Sequence, residues 1–372
     1  SGQRGDGITT ADTILYQTPT FVQTSANVPL LGITTIECST DFTMFLKSSN
    51  GSVFGCGANS YGVLGIGTTG NSAYALPVMI GTNTPLTGVT KISCGFTGFA
   101  AFLLDTNKVM VTGNNSSCQL TGVATSTVSY ARFALSAAGT DLTLVKDVSC
   151  GNNHTGFVFT DNTVRVVGLG SSGQLGNGTS SATPVAYPVA ITTTNLTNKA
   201  GNDILQIGCG NDYTGIVYTD GDCFMWGRNG ASGRLGVNNT FTIITIPTAT
   251  AYNFISKMTK LISTNSEIIG FIGINYAPYV AGTIYQHLHA TTLSLTATTN
   301  ASVPWPIYKR PGSAFGNRIT NMFLFGSGTN TVLFIYNETA GWIYSQSNKY
   351  QFFNTTYAAP TNSFTISDIY FQ

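Results

Sequence analysis

A glycine-rich string recurs along this chain of 372 residues at intervals of about 56, and a period of that size marks an array of like structural units. Residues 57–67 read GANSYGVLGIG, 168–178 read GLGSSGQLGNG and 227–237 read GRNGASGRLGV. A worn copy, GNNSSCQLTGV, fills 113–123, with Cys118 in a glycine position and Thr121 after the leucine. Neither a lysine nor a strand–loop–helix context accompanies these strings, so they read as tight backbone reversals and not as phosphate cradles. Gly57, Gly113, Gly168 and Gly227 are expected to permit the reversals, and Leu64, Leu120, Leu175 and Leu235 to plug between adjacent units.

What surrounds each string repeats too. A β-rich run ending in cysteine precedes every copy: ITTIECS from 33, VTKISCG from 89, VKDVSCG from 145 and ILQIGCG from 204. A second apolar run, a polar turn and a third run follow (TMFLKS, SSNG and VFGCG in the first unit), and a Ser/Thr-rich loop leads to a fourth run such as YALPVMI. Short β-branched and aromatic runs broken by Asn, Asp and Gly are strands and hairpins. Four antiparallel strands per unit make one propeller blade.

This order, with its W-G-x-N and G-Q-L-G elements, resembles the repeat of the regulator of chromosome condensation family. The match is best from Asp220 to Gly236, where Trp226, Gly227, Asn229, Gly233, Leu235 and Gly236 are in place. It is good over 33–250 and weak beyond, where KMTKLIS at 257, RITNMFL at 318 and ISDIYFQ at 366 continue the pattern of first strands. Seven first strands predict an all-β, seven-bladed propeller over 1–372 with four-stranded antiparallel blades. Six blades fall at 33–88, 89–144, 145–203, 204–256, 257–317 and 318–365. SGQRGDG at 1–7 matches SGQLGNG at 172–178, so 1–32 and 366–372 share the seventh blade and close the ring, which removes exposed sheet edges. That blade lacks about 20 residues, its second and third strands: either they are missing from this sequence, or a neighbouring molecule's strands fill the slot. The missing initiator Met suggests a processed or partial product.

Charged residues are only 8% of the chain, against roughly 25% in ordinary soluble proteins, and the net charge is +1. Without a basic cluster, nucleic acid is not an expected partner. The same balance weighs against the chromatin-associated exchange-factor role of the family's founder. No apolar run approaches the roughly 20 residues of a membrane helix, so membrane insertion is not expected either. Solubility must come from glycans or from burial in an assembly.

Asn50, Asn153, Asn177, Asn195, Asn238, Asn300, Asn337 and Asn354 begin Asn-X-Ser/Thr glycosylation sequons, as do Asn114 and Asn115. Among seven cysteines, Cys94 and Cys118 form the first disulfide to test, and Cys38, Cys94, Cys150 and Cys209 share one register. No cysteine–histidine spacing suits a metal, no cofactor motif is present, and His154, His287 and His289 read as structural or surface groups. The Arg4–Gly5–Asp6 tripeptide overlays the glycine repeat and reads as coincidence. The expected function is a non-enzymatic, secreted structural glycoprotein at the cell surface or outside the cell, built into a filament, appendage or surface layer by self-association. The rival is a binding module, an adhesin or lectin-like receptor, whose loops present Tyr61, Tyr213, Phe96 and Trp226.

Overall fold

The structure, a computed structural model, describes residues 2–9, 20–192, 196, 199, 201–228, 235, 240–245, 257–263, 268–273, 276–285, 298–306, 321–325, 332–336, 340–345 and 363–365. The chain forms two compact units, Ser1–Ile191 and Thr192–Gln372.

The first unit opens with a small hairpin, β1 (Gln23–Ser25) and β2 (Val28–Pro29). Its first four-stranded sheet is β3 (Ile33–Cys38), β4 (Phe42–Lys47), β5 (Ser52–Gly57) and β6 (Ser72–Pro77). A second hairpin follows, β7 (Met79–Gly81) and β8 (Thr84–Pro85). The next sheet is β9 (Val89–Gly95), β10 (Phe99–Leu104), β11 (Val109–Asn115) and β12 (Thr125–Phe133). After a third hairpin, β13 (Leu135–Ala137) and β14 (Thr140–Asp141), come β15 (Val145–Cys150), β16 (His154–Phe159), β17 (Val164–Gly170) and β18 (Ser181–Ala190).

The second unit holds three more sheets. They are β19 (Ile204–Cys209), β20 (Tyr213–Tyr218), β21 (Cys223–Gly227) and β22 (Thr240–Thr245); β23 (Met258–Ile262), β24 (Ile268–Gly273), β25 (Pro278–Tyr285) and β26 (Thr298–Pro306); and β27 (Asn321–Phe325), β28 (Val332–Tyr336), β29 (Ala340–Ser345) and β30 (Ser363–Thr365). In all six sheets each strand pairs antiparallel with its neighbour in sequence, as in a propeller blade. Six among the described residues is one fewer than the seven expected; the expected seventh first strand, 366–372, lies outside them.

Within the first unit the sheets stack face to face. Met44, Leu46, Val53 and Leu64 of the first sheet and its glycine loop form one cluster with Ile92, Phe102 and Met110 of the second. Phe99, Val111 and Leu120 do the same with Val148 and Phe157 of the third. A middle strand is therefore covered on both faces, and every residue of β16 is buried. That erases the alternation that a half-exposed strand would show.

The glycine string explains itself at Gly113. With φ at +97°, a Cβ there would stand 2.3 Å from the carbonyl oxygen of Gly98 in the β9–β10 loop. The close approach lets the Asn114 N–H donate to that oxygen at 2.9 Å. Gly57, Gly168 and Gly227 repeat the arrangement over the carbonyls of Asp41, Asn153 and Asp212. Two residues further on, the buried Asn59 and Asn115 staple the turn. Their Oδ1 atoms accept from the N–H groups of Leu64 (2.8 Å) and Leu120 (2.7 Å), and their Nδ2 atoms donate to loop carbonyls. Leu64, Leu120, Leu175 and Leu235 are all buried.

Candidate interaction surface

One strand departs from the pattern of its copies. Ile36 of β3 is 54% exposed, whereas the residues in the same register of β9, β15 and β19, namely Ile92, Val148 and Ile207, are 1%, 0% and 1% exposed. Ile92 and Val148 are covered by the sheet that precedes theirs in the chain. Nothing described covers Ile36, and Cys38 is exposed where Cys94, Cys150 and Cys209 are buried. Phe21, Val28 and Leu31, also exposed, lie in the segment leading into β3.

The other part of this sheet is covered by residues 2–9 and 20–31. Gly2 lies against the Ala73 backbone as Gly62 lies against Ser129, and Gly7 lies against Tyr74 as Gly67 lies against Tyr130. The Gly7 N–H donates to the Ala73 carbonyl at 3.0 Å, as the Gly67 N–H does to Ser129 at 2.8 Å. The Gln3 carbonyl accepts from the hydroxyl of Thr43 (2.8 Å) and the thiol of Cys56 (3.3 Å). Residues 2–7 thus occupy on β6 the place that 62–67 occupy on β12. Arg4 pairs with the buried carboxylate of Asp6 at 2.5 Å, so the Arg-Gly-Asp tripeptide is closed on itself.

The hairpins β1–β2, β7–β8 and β13–β14 were not foreseen from the sequence. Each is closed by an apolar pair whose backbones bond: Leu30 to Val22 (2.7 Å), Leu86 to Val78 (2.8 Å) and Leu142 to Ala134 (2.7 Å). Their tips carry Asn27, Asn83 and Gly139 at positive φ. Those pairs recur every 56 residues, a signal hidden by the short polar tips. Pro29 and Pro85 on the second strands supply no N–H for further strand pairing.

In the second unit Lys199 is 6% exposed by its side chain and bonds Asp220 (2.7 Å) and Asp222; Lys257 reaches the other oxygen of Asp222 (2.5 Å). The Lys199 ammonium also stands 5.7 Å from the ring centre of Tyr218 and 5.9 Å from that of Phe224. Burial pushes the Asp222 carboxyl upward, but hydrogen bonds from Lys199 and Lys257 outweigh it and hold the group below the usual carboxylate range. Burial likewise lowers the Lys199 pKa, and the two carboxylates more than reverse that. The network joins turn to strand and leaves no cation free to act on a ligand.

All seven cysteines are unbridged. The expected pairing of Cys94 with Cys118 is not formed. Cys94, near the end of β9, and Cys118, in the loop after β11, are each buried as separate free thiols. The proposed loop aromatics are divided. Tyr61 is exposed and Phe96 half-buried, whereas Tyr213 and Trp226 are fully buried on the central strands β20 and β21. His154 is buried on β16; His287 and His289 lie outside the described residues. Of the sequons, Asn50 is exposed, Asn153 and Asn177 are half-buried, Asn114 and Asn115 are buried, and Asn300 lies on β26. Asn195, Asn238, Asn337 and Asn354 fall outside the described residues.

Residues 50–101 and 162–217 match the Regulator of chromosome condensation (RCC1) repeat, and 145–174 match a second form of it. The X-linked retinitis pigmentosa GTPase regulator of Homo sapiens is 38% identical over 125 residues, 32% of this chain and 11% of that protein. Its counterpart in Canis lupus familiaris is 30% identical over 154 residues, 41% of this chain and 14% of that protein. The matches thus span a small part of the length of these relatives. Among solved structures, human WBSCR16 is similar with a TM-score of 0.63 and 18% identity, over 87% of this chain and 84% of that one. Prp20p from Saccharomyces cerevisiae, described with its binding to Gsp1p and histones, gives 0.52 and 16% over 80% of each chain. The chain therefore carries repeats of the regulator of chromosome condensation family, folded as an all-β propeller of four-stranded antiparallel blades.

Proposed function

We propose that this protein is a non-enzymatic, secreted structural component that assembles with copies of itself. The exposed Ile36 on β3 carries the reading, because the same position is buried in the three following sheets. A face that repeats a buried pattern but stands open calls for a sheet of the same kind. Burying one isoleucine contributes about 1.5–3 kcal/mol, so a strip of such residues can hold a partner. In this reading the blades number seven, a count taken from the sequence period. Residues 2–9 and 20–31 supply the outer part of the seventh, the sequence assigns 366–372 as its first strand, and a neighbouring copy donates the other two by strand addition. Proline in β2 and β8 supports a junction at this face over one at the hairpin edges.

The rival, a binding module reading ligands with its loops, keeps Tyr61 and Phe96 but loses Tyr213 and Trp226 to the core. The partners described for Prp20p are not carried over, since a net charge of +1 offers no strong field for basic histones. Negative-stain microscopy and size-exclusion chromatography with light scattering test the assembly. The native protein should form regular polymers that Ile36→Asp disperses into single particles. A monomer indifferent to that substitution would overturn the proposal.

A further inference from the structure

The described sequons differ in what their side-chain nitrogen does. Asn115 Nδ2 donates to the carbonyls of Thr121 (3.2 Å) and Val123 (3.0 Å), and Asn114 Nδ2 donates to that of Thr97 (3.2 Å). Both asparagines are buried in β11, where a sugar would have to displace these bonds and the neighbouring chain. Asn50 and Asn177 use only their carbonyl oxygens. Asn50 Oδ1 accepts from the N–H of Ser52 (3.1 Å), and Asn177 Oδ1 accepts from the N–H (3.2 Å) and the hydroxyl (2.9 Å) of Thr179. No hydrogen bond from either Nδ2 to another described residue is present. Asn50 is exposed with its neighbours Ser48 and Ser49, and Asn177 is followed by exposed Gly178, Thr179 and Ser180.

We propose that Asn50 and Asn177 carry N-linked glycans while Asn114 and Asn115 stay bare, a proposal that rests on the secretion in the functional reading above. The donor is a diphosphate-activated oligosaccharide. The asparagine Nδ2 forms a bond to the sugar's anomeric carbon as the bond from that carbon to the diphosphate oxygen breaks; the amide gives up one proton, the diphosphate departs, and nothing is oxidised or reduced. Asn50 lies in the β4–β5 turn and Asn177 in the loop after β17, so the two sites sit at opposite ends of the strands. Sugars at both ends obstruct stacking end on end and leave the side face around Ile36 clear. The sites thereby add a direction to the assembly.

Glycopeptide mass spectrometry of the native protein tests this. Glycan on Asn50 and Asn177, with unmodified Asn114 and Asn115, is the expected result, and N50Q and N177Q should each speed gel migration by one glycan's step. A bare Asn50 or Asn177, or sugar on Asn114 or Asn115, would overturn it. Microscopy of the same material separates the two proposals: polymers of unglycosylated protein sink only this one, and glycosylated monomers sink only the assembly.

Discussion

At Gly113 the backbone leaves room for one residue type. Replacing it by alanine forces a Cβ to within 2.3 Å of a carbonyl at a φ of +97°. Gly113→Ala should therefore cost about 3 kcal/mol, read as a drop in the midpoint of urea unfolding. Gly139→Ala is the control: its φ is also positive, at +71°, but nothing lies within 4 Å of the added atom, and the cost should stay near 1 kcal/mol. This dependence on shape is why the glycines and the leucines between them were readable from sequence. The turns recur because the carbonyl beneath them recurs. Tyr213, Trp226 and Cys94 were less readable. Which face of a strand is covered depends on the neighbouring sheet, and strands buried on both sides give no alternation to read.

Among the elements, the turn between β20 and β21 carries its own pH dependence. Asp222 titrates below the ordinary carboxylate range, so its pairing stabilises the fold above about pH 4 and is lost as pH falls through the depressed value. Lys199 is shifted upward, so its contribution is present below the ordinary lysine range and is lost only at higher pH. Stability of this unit should accordingly hold through neutrality and fall in acid. Asp222→Asn should lower stability at pH 7 and flatten the acid limb, as followed by urea titrations at several pH values. A limb unchanged in the variant would move the effect to other carboxylates. The four strands of each blade could be read from their apolar runs and turn residues. The hairpins β7–β8 and β13–β14 could not, because two or three polar residues between short strands look like any loop until Val78 and Leu86 are seen to pair.

For the whole molecule, the sequence period identified the architecture because stacking like sheets is the only way such units bury their faces. It could not say which face would be left open, since Ile36 reads the same as Ile92 and Val148. The difference lies in what precedes each sheet, and residues 2–9 fill only part of that place on the first. The opening also leaves a chemical handle. Cys38 is the one exposed thiol of seven, while burial raises the thiol pKa of Cys56 to about 12 and that of Cys94 well above normal. Desolvation raises Cys38 as well, with the Glu37 carboxylate adding to it although a hydrogen bond with Thr43 opposes the shift, so mildly alkaline conditions suit its alkylation. A maleimide dye should label dispersed protein once, at Cys38, and leave assembled protein dark, with all seven thiols reacting in denaturant. The molecule therefore brings its own reporter, a sulfur on the strand that a joining neighbour would shade.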